Sequence, residues 1–104
     1  MFEALSALKE KNMDFVFVAL IKDNDHLIGD QDHEFPACFI IEASTKKEAL
    51  NWGGEVAFEH CLNNLSHELI NTLVESPNNY PDNVLQELPR VKFGIMPTDE
   101  EIGW

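Results

Sequence analysis

Basic residues are the scarcest feature of this 104-residue sequence. Seven lysines and arginines stand against nineteen aspartates and glutamates, which gives a formal net charge of −12 at pH 7. Nucleic acids and anionic membrane surfaces carry charge of the same sign, so the composition argues against direct binding to either of them. If the protein acts by binding, the charge predicts a basic partner.

Long apolar runs are also missing. The longest covers residues 15–21, whereas a membrane-spanning helix needs about 20 apolar residues. The first residues lack the basic opening of a signal peptide, and Glu3 and Lys9 interrupt the apolar positions around them. We therefore expect no membrane segment, no signal peptide and a cytoplasmic location.

Cysteine is rare, with only Cys38 and Cys61 in the chain. A chain of this length with 44% hydrophobic residues can build one ordinary core without a disulfide, and it has no room for a second core. We expect two reduced thiols in a single globular domain that comprises residues 1–104.

Three segments have the composition of strands. Residues 15–21 are apolar at every position, which predicts a strand covered on both faces in the interior of a sheet. Residues 35–43 alternate and carry Pro36 near their start, where a missing N–H is tolerated. Residues 91–96 predict a third strand, at an edge of the sheet.

Helical spacing of apolar residues predicts helices at residues 2–12, 45–62 and 66–74, with a strand as the alternative for the last of these. Thr45 and Glu48 have the spacing of a capping box. Gly53 lies in the middle of the apolar face of its helix, which indicates a close approach of the helix to the sheet. Residues 84–88 predict one or two further helical turns, and residues 97–104 an acidic tail.

This order of elements predicts an α+β fold. Its sheet is expected to be small and mainly antiparallel, with about three strands packed against two to four helices.

The central helix has a second apolar stripe on the side away from the predicted core, formed by Phe58, Leu62 and Leu65. Such a stripe needs a cover. We expect the amino-terminal helix or the carboxy-terminal segment to cover it, and a partner protein is the alternative.

Residues 23–34 repeat the unit Asp-x-Asp-His at an interval of seven residues. Counted as a calcium loop, the segment has Leu27 and Ile28 where an oxygen ligand and a glycine are required. The interpretation is an exposed polar loop. The alternatives are a looser metal site with His26, His33 and the aspartates, and an acidic binding loop.

His60, Cys61 and His67 lack the two close pairs of ligands that are typical of structural zinc sites. Nothing marks an orienting group or an oxyanion hole for a Cys–His nucleophile pair. We interpret these residues as part of the core, and we predict no catalytic residue, no metal ligand and no cofactor.

Trp104 follows three acidic residues at the end of the sequence. It is expected to dock on the core, and the alternative is an anchor for a partner, because tryptophan is enriched at interface hot spots.

Together these features predict a protein-binding module and not an enzyme. Small size, strong acidity and the lack of catalytic motifs are similar to bacterial toxin-immunity proteins, a likeness of composition only. The hypothesis is an inhibitor, immunity or antitoxin protein that neutralises a basic partner such as a nuclease toxin. The predicted partner-binding residues are Asp23, Asp25, Asp30, Asp32, Glu34, Asp99, Glu100, Glu101 and Trp104. The alternatives are a metal-binding protein or small enzyme that uses residues 23–34, and a subunit of a larger assembly.

Overall fold

The computed structural model describes residues 12–25 and 33–104 of the chain. The strands are β1 (Met13–Asp23), β2 (Glu34–Ala43), β3 (His67–Glu75) and β4 (Arg90–Lys92). The helices are α1 (Lys46–Asn63), α2 (Asp82–Glu87) and α3 (Asp99–Ile102), with a 3-10 turn at Pro77–Asn79. Asp30, Asp32 and nearly all of the helix predicted at residues 2–12 lie outside the described residues.

The fold is α+β, as the sequence predicts. The strands form one open sheet in the order β3-β1-β2-β4, so the described sheet has four strands where about three are expected. β1 pairs antiparallel with β2 on one side and with β3 on the other, which confirms its interior position. β4 is an edge strand in this sheet, but it pairs parallel to β2 and comprises only Arg90–Lys92. The strand predicted at residues 91–96 is shortened because the chain turns at Phe93 and Gly94.

The core lies between the sheet and α1. Phe17 of β1 and Phe39 of β2 are fully buried and stack with their ring centroids 5.0 Å apart. Gly53 of α1 lies directly over the ring of Phe17, where a β-carbon would overlap ring atoms. The close approach predicted at Gly53 is therefore present, and it holds the helix near the middle of the sheet.

The helix predicted at residues 66–74 is wrong, and the strand given as its alternative is confirmed as β3. Its pairing with β1 shifts register between Leu20 and Ile21, which leaves Ile70 as an extra residue opposite this step. Such a bulge reverses the alternation of faces partway along a strand. Leu69 and Val74 consequently point toward the core although they are five residues apart, and the apolar pattern imitates helical spacing.

The ends of the helices follow capping patterns that are visible in the sequence. The Thr45 hydroxyl accepts from the N–H of Glu48 at 3.1 Å and caps α1. A full capping box joins Thr98 and Glu101 at the start of α3, and Gly103 ends that helix in the left-handed conformation at φ 71°. The acidic tail is thus a folded turn whose Ile102 is 3% exposed. Among the described residues, no helix has both the length and the apolar character needed to cross a membrane.

Candidate functional site

One end of the molecule gathers acidic groups from distant parts of the sequence. Because β1 and β2 are antiparallel, the end of β1 meets the start of β2, and Lys22 pairs with Glu34. The start of β3 joins the same end, since Asp23 pairs with His67. Helix α1 has 18 residues and is about 27 Å long, and its last residues reach this acidic end.

His60, in the last turn of α1, is the centre of this end. Its side chain is 1% exposed, and its Nδ1 lies 3.2 Å from Oδ1 of Asp99 in α3. Asn64 donates from Nδ2 to Oδ2 of Asp99 at 2.9 Å and to the carbonyl oxygen of His60 at 2.8 Å. These bonds attach the carboxy-terminal segment to the end of α1.

His67 extends the arrangement into the sheet. Its Nδ1 lies 2.9 Å from Nε2 of His60, and its Nε2 lies 3.4 Å from Oδ2 of Asp23. A continuous chain therefore runs from Asp23 through His67 and His60 to Asp99. It joins the two acidic segments that the sequence analysis selects separately.

The environment of this pair acts on neighbouring groups. Burial of Asp99 alone would raise the pKa of its carboxyl, but hydrogen bonds from Asn64 and His60 and the attraction of both histidines outweigh it and lower the pKa. Burial, with a smaller contribution from Asp99, raises the pKa of the Cys61 thiol. A thiol nucleophile needs its thiolate form, so this environment does not activate Cys61.

The predicted binding residues that the structure describes lie around the histidine pair. Some of their side chains contact the histidines, and others are exposed. Asp23 and Asp99 are engaged by the histidines, whereas Asp25, Glu34, Glu100 and Glu101 are exposed. The N–H of Asp25 also donates to Oδ1 of Asp23 at 2.9 Å. Asp30 and Asp32 are outside the described residues, so their placement stays a prediction.

Trp104 packs against the core, which is the docked arrangement expected for it. Its ring lies 5.4 Å from that of Phe39 and 5.3 Å from that of His60, measured between centroids. The indole Nε1 is buried and has no hydrogen-bond partner among the described residues. A partner-binding role for this side chain remains a prediction.

The bonded pair of histidines was missed from the sequence, although the core position of His60 is confirmed. The two histidines are seven positions apart in the sequence, and this spacing matches no ligand or catalytic motif. They come together because the end of a helix meets the start of a strand. Among the described residues, no group of three or more His, Cys, Asp or Glu side chains is placed to hold a metal ion. The alternative metal site with His26 and His33 depends on loop residues that the structure does not describe.

Of the five lysines and arginines in the described ranges, Lys22 lies at the acidic end and the other four lie at the opposite end of the molecule. Lys46 and Lys47 begin α1, and Arg90 and Lys92 belong to β4 beside the end of β2. Arg90 donates to Oδ1 of Asp14 at 2.8 Å and lies 3.7 Å from Oε2 of Glu42. Basic side chains are therefore partly neutralised far from the acidic end.

The second apolar stripe of α1 stays uncovered by the described residues. Phe58 is 55% exposed, Leu62 is 53% exposed and Leu65 is 90% exposed. The carboxy-terminal segment does not cover them, because it packs on His60 and Phe39 instead. The amino-terminal helix, the other expected cover, lies almost wholly outside the described residues. Phe58 and Leu62 lie in the half of α1 that leads to the acidic end, and Leu65 follows the end of the helix.

Comparison of the chain with protein-family models, with curated proteins and with solved structures finds no match.

Proposed function

We propose that this protein is an acidic binding module that neutralises a basic protein partner, in the manner of an inhibitor, immunity protein or antitoxin. The observation that carries the proposal is the convergence of two acidic segments at one end of the fold. Asp23 and Asp99 belong to those segments, and the bonded pair of His60 and His67 joins them. A nuclease toxin or another nucleic-acid-binding protein has the complementary charge.

The distribution of charge supports this role. The histidine pair already faces Asp23 and Asp99, so the free negative charge comes from exposed side chains around them. These are Asp25, Glu34, Glu100 and Glu101. Opposite fields raise association rates and exclude partners of the wrong charge. Carboxylates on such a surface imitate the phosphates that a nuclease binds.

The environments of His60, Cys38 and Cys61 favour a binding function over a catalytic one. His60 is 1% exposed, and both of its ring nitrogens are used in contacts within the fold. Burial raises the pKa of both Cys38 and Cys61, which disfavours the thiolate that a nucleophile needs. We therefore assign the histidine pair a structural role, as the support of the acidic end.

The test begins with a basic protein that co-purifies with this chain at equal stoichiometry from the native host. Its association rate is then measured between about 0.05 and 0.5 M salt, where the Debye length falls from about 14 to 4 Å. We expect the rate to fall steeply. A rate that does not depend on salt would refute the electrostatic role of the acidic end.

Matched charge variants locate the binding end. The double variant Glu34→Gln and Glu100→Gln removes two exposed charges from the acidic end. The control, Asp82→Asn with Glu87→Gln, removes two exposed charges from α2, which lies near Arg90. We expect an about tenfold slower association for the first and less than about twofold for the control. Equal effects would mean that net charge matters and the acidic end does not.

A further inference from the structure

The exposed side of α1 has a pattern of residues that is suited to packing against another helix. Phe58 is 55% exposed and Leu62 is 53% exposed, one turn apart. Gly54 lies one turn before Phe58 on the same side. A helix presents residues four apart as neighbours, so the three form a stripe with two large side chains and a gap.

The gap at Gly54 has no cause among the described residues. A β-carbon at position 54 would meet nothing within 4 Å, whereas one at Gly53 would overlap the ring of Phe17. Glycine is among the least favoured residues in the interior of a helix. On an exposed helix face it lets the backbone or a bulky side chain of a second helix come close. Gly54 thus leaves room on this face for a contact that the described residues do not make.

The charge beside the stripe indicates which kind of helix fits. Glu55 and Glu59 are exposed and lie one turn apart along the same flank of the stripe. An antiparallel pair of α1 helices, related by a two-fold axis, would place both acidic flanks on one side, where they repel. A helix with lysines or arginines beside its apolar face meets the same flank with favourable charge.

We infer that Gly54, Phe58 and Leu62 form the docking face for a basic amphipathic helix of the partner protein. This inference rests on the proposed function and adds the kind of structure that the partner presents. Phe58 and Leu62 enter the apolar face of that helix, its backbone or a large side chain fills the gap at Gly54, and its cations face Glu55 and Glu59. Helix-in-groove recognition of this kind uses apolar anchors at helical spacing.

A designed peptide probes the face directly. The peptide has about 20 residues, with leucines at helical spacing on one face and lysines and arginines elsewhere. The control peptide has the same composition in an order that removes the spacing. Binding of each labelled peptide to the full chain is measured by fluorescence anisotropy. We expect the first to bind at least tenfold more tightly than the control.

Single substitutions then assign the binding to α1. Gly54→Leu fills the gap, and Phe58→Ala removes the central side chain. Each is expected to weaken binding of the helical peptide at least tenfold while the melting temperature of the protein is unchanged. Val84→Ala, at a residue of α2 that is 36% exposed, is the control and should leave binding unchanged.

Several results would overturn the inference. Equal binding of both peptides, no binding of either, or no effect of Gly54→Leu and Phe58→Ala would remove α1 as the docking face. A lower melting temperature of Phe58→Ala would show that the protein's own chain covers it. A doubled mass in sedimentation that Phe58→Ala abolishes would assign the face to a second copy. The proposed function fails separately, in the salt dependence and the charge variants above.

Discussion

Gly53 of α1 lies so close to Phe17 of β1 that a β-carbon on the glycine would overlap the ring atoms Cγ, Cδ1 and Cε1. The same ring stacks on Phe39 of the neighbouring strand. The height of the helix above the sheet therefore depends on the missing side chain at position 53. Gly54 follows it directly and has no such neighbour among the described residues.

The two adjacent glycines give a matched test of this packing. Gly53→Ala should lower the free energy of unfolding by about 1–3 kcal/mol, because the ring of Phe17 is held by Phe39 and cannot move away easily. Gly54→Ala should leave it unchanged or raise it by up to about 1 kcal/mol, through better helix propensity. Urea unfolding measures both. A Gly53→Ala protein as stable as the wild type would show that α1 can move off the sheet at little cost.

Local patterns were sufficient for much of this core. The uniform apolar character of residues 15–21 predicted an interior strand, and Gly53 predicted a close helix, because both signals come from neighbours in sequence. A helix was preferred over a strand for the segment of β3, because the bulge at Ile70 is created by pairing with β1. The strand's own residues do not show where such a register shift falls.

The same distinction, between signals from sequence neighbours and features created by tertiary structure, applies to the candidate site. The acidic residues could be selected from the sequence because charge is visible in composition. Their meeting through His60 and His67 could not be predicted, because it depends on where α1 ends and β3 begins. The two histidines are seven positions apart in the sequence, and their contact is determined by the tertiary structure.

Two substitutions of Trp104 should differ in how much they lower the free energy of unfolding. Its ring packs on Phe39 and His60, while its indole N–H is buried and finds no partner in the part of the chain that the structure describes. Trp104→Ala should lower the free energy of unfolding by up to about 3 kcal/mol, since it removes the packed ring. Trp104→Phe should cost less than about 1.5 kcal/mol, because it keeps a ring and removes the unpaired donor. Equal losses in urea unfolding would mean that the indole N–H has a partner in solution.

Acid should weaken the attachment of the carboxy-terminal segment. Asp99 has a lowered pKa in the folded protein, so its contribution to stability is complete above the unfolded pKa of about 3.9 and disappears as the pH falls below it. The side chain is 39% exposed, so solvent screening keeps this contribution modest. The unfolding free energy of Asp99→Asn should therefore fall less between about pH 5 and 2 than that of the wild type. Parallel curves for the two proteins would contradict this role of Asp99.

Asp23 and Asp99 should be energetically coupled although two imidazoles stand between them. Asp23 contacts His67, Asp99 contacts His60, and the two rings contact each other. If either carboxylate becomes an amide, the histidine beside it loses its carboxylate partner, and the contact of the second carboxylate with the rings is disturbed. The double variant Asp23→Asn with Asp99→Asn should therefore lose less stability than the two single variants together. We expect a coupling energy of about 0.5–3 kcal/mol from urea unfolding.

A control cycle separates this coupling from the general effect of charge. Asp82 is exposed on α2, and the cycle of Asp23→Asn with Asp82→Asn should be additive within about 0.5 kcal/mol, because no chain of contacts among the described residues joins the two groups. If the cycle of Asp23 with Asp99 is equally additive, then the histidine pair does not transmit the loss of one carboxylate to the other. The two acidic segments would then be neighbours at one end of the fold without being linked, and the pair would have to be explained as core packing alone.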